Sequence, residues 1–168
     1  MTIATTDIKL RAALGWPDDV TPTTVSQRIA AAMIWSIETS MRAGETCSLT
    51  WDQVDEVGRY ARLTKTKNGD ARDVPLSTRA IEILALLPRS GPLVFDVDPG
   101  TRDALFRRAK QAAGIADLHW HDLRHEAATR LARKLDVLDL ARMTGHRDPK
   151  SLLTYYNPTA AEIAKRLG

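Results

Sequence analysis

Apolar residues recur along the chain with two different periods, and the change of period outlines the architecture. From Thr24 to Met41 the residues Val25, Ile29, Ala32, Met33, Trp35 and Ile37 return at helical spacing, with Thr23 or Thr24 placed to cap the first turn. Gly44 interrupts, and a short helical turn over Glu45 to Leu49 leads to Trp51. Between Trp51 and Leu76 the period drops to two. Val54, Val57, Tyr60, Leu63 and Val74 predict three short strands, with Gly58 at the first turn and Asn68-Gly69, a pair suited to a tight hairpin, at the second. Helical spacing then returns over Thr78 to Leu87, Thr101 to Ala113, His121 to Lys134, Leu138 to Thr144, a short piece around Ser151 to Tyr156, and Thr159 to Leu167. Ahead of these, residues 1–23 read as a short helix, Asp7 to Leu14, and a loop punctuated by Pro17 and Pro22. The expected fold is mainly α with a small three-stranded antiparallel β-sheet, one domain over 1–168 with a lead-in at 1–23 and a tail helix within 157–168.

Composition narrows this picture only a little. A chain of 168 residues suits one packed domain and is short for two. Its 43% hydrophobic and 27% charged residues are ordinary for a soluble globular protein. No apolar run is long enough to span a membrane, and no basic stretch followed by an apolar core marks a secretory signal. The single Cys47 has no internal disulfide partner, which fits a reducing compartment, so a cytoplasmic location is expected. A net charge of +3 permits nucleic-acid binding without requiring it. Basic residues gather at Arg59 to Arg72, Arg102 to Lys110 and Arg124 to Lys134, a distribution that solvated helix faces also show.

Four stretches hold polar residues that packing does not explain. Arg42-Ala43-Gly44-Glu45 closes a strongly apolar helix, where an arginine caps carbonyls, pairs with Glu45 or serves a ligand. Lys65 and Lys67 flank the predicted hairpin turn, as solubilising edge charges or as groups that reach into a neighbouring groove. In His121-Asp122-Leu123-Arg124-His125, the residues Leu123, Ala127 and Leu131 form an apolar stripe, and His121 and Arg124 share its border. His121 and His125 are four apart, a spacing open to metal, yet no HExxH pattern and no Cys or carboxylate cluster accompanies them. Last come Gly145-His146 and Thr154-Tyr155-Tyr156-Asn157-Pro158, whose tyrosines serve packing or lie on the surface.

Together these stretches supply two arginines, a lysine, two histidines and a tyrosine. Arginine forks match phosphate oxygens bidentately and stay charged at any useful pH. Histidine exchanges protons near neutrality. A tyrosine hydroxyl is a poor nucleophile until a base and positive charge assist it. Attack on a phosphodiester spreads negative charge over the non-bridging oxygens, which preorganised cations stabilise.

The order Arg42-x-x-Glu45, Lys67 on a hairpin, His121-x-x-Arg124, Gly145-His146 and a tyrosine nine positions later resembles the tyrosine recombinases, or phage-type integrases, from about Thr24 to the end. The resemblance implies DNA strand cleavage and rejoining through a 3′-phosphotyrosine, with neither metal nor other cofactor. Arg42 and Arg124 would clamp the scissile phosphate, His121 accept the nucleophile's proton, and His146 bond a phosphate oxygen. Lys67, or less favourably Lys65, would protonate the leaving 5′ oxygen, and Glu45 would buttress the site. Tyr155 stands at the family's spacing as nucleophile, with Tyr156 as the alternative. Partners would be double-stranded DNA and further copies of the chain, as dimers and tetramers on DNA. The stripe Ala160, Ile163, Ala164 and Leu167 would dock on a neighbouring protomer or on its own domain. Arg102, Arg107 and Lys110 are candidates to approach the DNA backbone. Full-length members of the family also carry an N-terminal helical domain that clamps the other face of DNA. Nothing in these residues supplies one, so a fragment of a longer integrase, binding DNA weakly and salt-sensitively, is expected. The competing readings are a type IB topoisomerase-like relaxing activity, a non-catalytic DNA-binding protein of the same fold, and a metal-dependent nuclease.

Overall fold

Thr24 caps the helix on which the body of the protein is built. Its hydroxyl accepts from the Gln27 backbone N–H while the Gln27 side chain reaches back to the cap, a reciprocal capping box. The helix that follows, α2 (Val25–Thr39), buries ten of its fifteen residues, including the unbroken run Ile29 to Ile37. A helix apolar on all sides must lie at the centre, and α2 packs against α1 (Ile3–Ala13), α3 (Ala43–Ser48), α4 (Thr78–Leu86), α5 (Pro99–Ala112) and α6 (Trp120–Leu131). The computed structural model describes residues 3–64, 71–156 and 158–167.

The sheet comprises β1 (Val54–Asp55), β2 (Tyr60–Leu63) and β3 (Arg72–Pro75), antiparallel in the order β1-β2-β3. Ala61 pairs with Val74 and Leu63 with Arg72, so these four share a face. Ala61, Leu63 and Val74 are buried there, which turns Arg72 toward the body. Val57 is not a strand residue as the period suggested: it sits in the β1–β2 turn, 97% exposed. The predicted Asn68-Gly69 turn lies outside the described residues.

The remaining helices follow the sequence with shifted ends. Helix α5 begins at Pro99, not Thr101, because Asp98 caps it and proline suits the first helical position. Helix α6 stops at Leu131, short of Lys134. Helix α7 (Val137–Thr144) is capped by Asp136 and ended by Gly145 at φ +73°, and α8 (Ala160–Leu167) completes the chain. The piece predicted around Ser151 to Tyr156 is a 3₁₀ turn over Pro149–Leu152.

Two apolar clusters result. The larger surrounds α2, with Trp35 and Phe95 in edge-to-face contact at 5.6 Å. The smaller holds Ala132, Leu140, Ala141 and Leu152, with Tyr155 and Tyr156 packed on it. Ala160 to Lys165 of α8 are exposed, including Ile163 of its apolar stripe, so the described part of this helix does not dock on its own domain.

Candidate functional site

Arg42 stands between α2 and α3 because the chain leaves α2 through Ser40 in the left-handed conformation, φ +55°. That turn drives Met41 fully into the core and leaves Arg42 as the N-cap of α3. Glu45, three residues on, reaches back to the Arg42 backbone N–H (2.7 Å) and accepts from its guanidinium (2.9 Å). The same carboxylate accepts both terminal nitrogens of Arg72, at 2.9 and 2.8 Å. Such a fork is the strongest form of ion pair. Burial alone would raise the Glu45 pKa, but the bonds from Arg72 and Arg42 hold it down to about 2.

Arg72 also donates from Nε to the Met143 carbonyl at the end of α7 (3.0 Å). It crosses there only because residue 145 is glycine: a Cβ at Gly145 would lie 3.1 Å from the Arg72 Cδ. Arg72 was not among the residues expected at the site, although alternation with buried Val74 pointed its side chain inward.

Arg124 extends from α6 and is only 6% exposed. Its guanidinium donates to the Ser40 and Thr144 carbonyls, the two groups left over where α2 and α7 end. One side chain thus fixes both helix ends around the site. Burial, and then the nearby charge of Arg42, lower its pKa to about 10, so it remains charged at neutral pH. His146, just past Gly145, hydrogen-bonds the Thr144 hydroxyl through Nδ1 (2.6 Å). Its pKa falls to about 4, first through burial and then through Arg124, Arg42 and Arg72. It is therefore neutral at pH 7.

His121 and His125 lie one turn apart on α6, both exposed, with rings edge to face at 4.6 Å. Burial, then the charges of His125 and Arg124, lower the His121 pKa. The Tyr155 hydroxyl is hydrogen-bonded to His125 Nδ1. Among the described residues no hydrogen bond joins it to His121. Burial raises the Tyr155 pKa against the opposing effect of Arg124. Sequence reasoning treated His125 only as half of a metal pair; its place one turn beyond His121 was the available signal.

Arg42 and Glu45 are thus bonded to one another, Arg124 and His146 both bond Thr144, and Tyr155 is bonded to His125, one turn from His121 on α6. Tyr156 packs beside Tyr155 on the smaller cluster. Lys67 and Lys65 lie outside the described residues. Arg102 differs from expectation: its guanidinium is buried, bonded to Asp103 (2.7 Å) and set over the Trp120 ring. It is a packing cation, because an arginine stem on an inward helix face is covered by its aromatic neighbour. Lys110 donates to the Leu118 carbonyl, whereas Arg107 is exposed. Among the described residues, no group of three or more His, Cys, Asp or Glu side chains is placed to hold a metal ion, and no helix is long and apolar enough to cross a membrane.

Known proteins show the same arrangement of sequence and fold. A putative integrase/recombinase of Haemophilus influenzae is 45% identical over 148 residues, covering 86% of this chain and 49% of its own length. The shufflon-specific DNA recombinase of Escherichia coli is 39% identical over 135 residues, covering 79% of this chain and 35% of its own length. The chain therefore spans at most about half the length of these curated relatives. Among solved structures, the catalytic domain of bacteriophage HP1 integrase superposes with a TM-score of 0.70 at 22% identity, over 96% of this chain and 90% of that one. A lambda integrase dimer bound to a COC′ core site gives 0.72 at 20% identity, over 92% and 47%. At such identities these two likenesses establish the fold. The phage integrase family model matches residues 18–162, which contain every described residue of the site, and the chain belongs to that family.

Proposed function

We propose that this chain is the catalytic half of a site-specific DNA recombinase, cutting and rejoining strands through a 3′-phosphotyrosine. The observation that carries the reading is buried Arg124, held by the Ser40 and Thr144 carbonyls where α2 and α7 end, with the Tyr155 hydroxyl bonded to the next residue of α6, His125. Buried guanidiniums fixed by backbone carbonyls and by Glu45 are preorganised for charge that develops on a phosphate. Arg42 and Arg124 hold the non-bridging oxygens, and His146 bonds one of them. Glu45 fixes Arg42 and Arg72. Lys67 delivers the proton to the leaving 5′ oxygen. The family pattern gives proton acceptance to His121, whose ring meets His125 at 4.6 Å. Tyr155 is preferred to Tyr156 because it stands nine positions after His146, and its hydroxyl is bonded to His125, the residue after Arg124 on α6.

The names of the relatives, an integrase/recombinase and a shufflon-specific DNA recombinase, support double-stranded DNA as substrate. The lambda neighbour, a dimer on its core site, supports assembly on DNA. The exposed Ile163 and Leu167 of α8 offer an apolar contact to a second copy. The lone Cys47, with no internal disulfide partner, supports the cytoplasm as the site of action. A further N-terminal domain that clamps DNA belongs to the protein in which this half acts.

The test incubates the full-length protein with a nicked suicide substrate that traps the covalent complex. Wild type and Tyr156→Phe form the complex, and Tyr155→Phe does not. Loss with Tyr156→Phe alone reverses the assignment, and absence of any adduct with wild type refutes the reading.

A further inference from the structure

Among the described residues, the Tyr155 hydroxyl has a hydrogen-bond partner to which the family pattern gives no task. His125 presents Nδ1 to it, with the two rings 5.8 Å apart and tilted by 37°. A phenol carries one proton, and a neutral imidazole protonated at Nε2 carries a lone pair at Nδ1. In that tautomer the hydroxyl donates directly to His125. Phenol burial raises the Tyr155 pKa, so the hydroxyl holds its proton at pH 7 and needs an acceptor when it attacks. The His121 ring meets the His125 ring edge to face at 4.6 Å. Both histidines are exposed on the same face of α6.

We infer that His125, and not His121, takes the proton from Tyr155, an inference that rests on Tyr155 being the nucleophile. In the step, Tyr155 Oη forms a bond to phosphorus while its proton passes along the existing hydrogen bond to His125 Nδ1. The bond from phosphorus to the 5′ oxygen breaks, its electron pair stays on that oxygen, and the general acid, Lys67 in the reading above, protonates it. Rejoining runs the step backward, with the His125 imidazolium returning the proton to the departing phenolate. His121 is then a positioning residue that holds the His125 ring through their edge-to-face contact.

The test measures covalent-complex formation by the full-length protein on two suicide substrates, one with the natural 5′ oxygen and one with a bridging 5′ sulfur. A sulfur leaving group departs without protonation, so it relieves the loss of an acid but not of a base. His125→Ala and His125→Asn should each slow cleavage by about 100-fold on both substrates, within the range for a positioned base. Added imidazole should partly restore His125→Ala. Asparagine keeps an acceptor near the place of Nδ1 without taking a proton, so it separates proton transfer from mere placement of the tyrosine. Lys67→Ala should recover on the sulfur substrate, and His121→Ala should lose less than 10-fold. The exposed position predicts unchanged melting and DNA affinity for both His125 variants. The inference is overturned if His125→Asn cleaves within about threefold of wild type, or if the sulfur substrate restores the His125 variants. An adduct that survives Tyr155→Phe overturns the nucleophile reading and this inference with it, whereas fast His125 variants overturn this inference alone.

Discussion

Replacing Glu45 by glutamine removes one negative charge from beneath two arginines while leaving the side chain's shape. Its carboxylate is 9% exposed and the Arg72 side chain 7%, so neither can turn to water without moving β3 or α3. The pKa of about 2, against the ordinary 4.5, corresponds to about 3 kcal/mol at ~1.36 kcal/mol per pH unit. Screening at the open side of the site, where Arg42 is 25% exposed, leaves about 2 kcal/mol. For a chain of this size that lowers the melting temperature by roughly 4–8 °C. The folded pKa lies below the unfolded one, so this stabilisation is complete above the unfolded value and fades as pH falls toward the folded value. Thermal unfolding followed by circular dichroism should therefore show the full difference between wild type and Glu45→Gln at pH 7, and less than half of it at pH 3. Equal melting temperatures at pH 7, or a difference that stays constant down to pH 3, would refute the reasoning.

Gly145→Ala forces a side chain into φ +73° and against Arg72, so a stability loss of about 1–3 kcal/mol is expected by urea titration. A substitution that costs nothing would show that Arg72 has another path to Glu45. His146, lowered to about 4, should remain neutral in an NMR titration down to about pH 5 in the free protein. Because its folded pKa lies below the unfolded one, its contribution lowers stability as pH falls through that interval; titration near 6.5 would contradict the electrostatic account. Leu152→Ala, at a fully buried position of the smaller cluster, should cost about 2–5 kcal/mol and slow adduct formation more than it weakens DNA binding. Equal losses in both measurements would mean that the cluster does not place Tyr155.

Most of the fold was legible because it is local. The helices announce themselves by period and caps, and β2 and β3 by alternation; the sheet order β1-β2-β3 follows the order of the strands along the chain. The site residues on helix borders, Arg42, His121 and Arg124, were legible for the same reason, as charges where an apolar stripe ends. Residues defined by distant contacts were not. Arg72 acquires its role from Glu45, 27 positions earlier, and from Met143, 71 positions later. His125 acquires its partner only when the segment after α7 folds back over α6. Arg102 looked like a surface cation because its covering ring, Trp120, belongs to another helix. The start of α5 lies two residues before the expected Thr101, because Pro99 suits the first helical position after the Asp98 cap.

The guanidiniums of Arg42 and Arg72 share the single carboxylate of Glu45, and Arg124 leans on the carbonyls of Ser40 and Thr144. Like charges gathered at one junction attract an anion. Any small multivalent oxyanion that settles among the three cations stabilises the folded chain by mass action, without touching the hydrophobic interior. The choice of buffer is then itself a ligand choice: sulfate or phosphate should raise the melting temperature above its value in chloride at equal ionic strength.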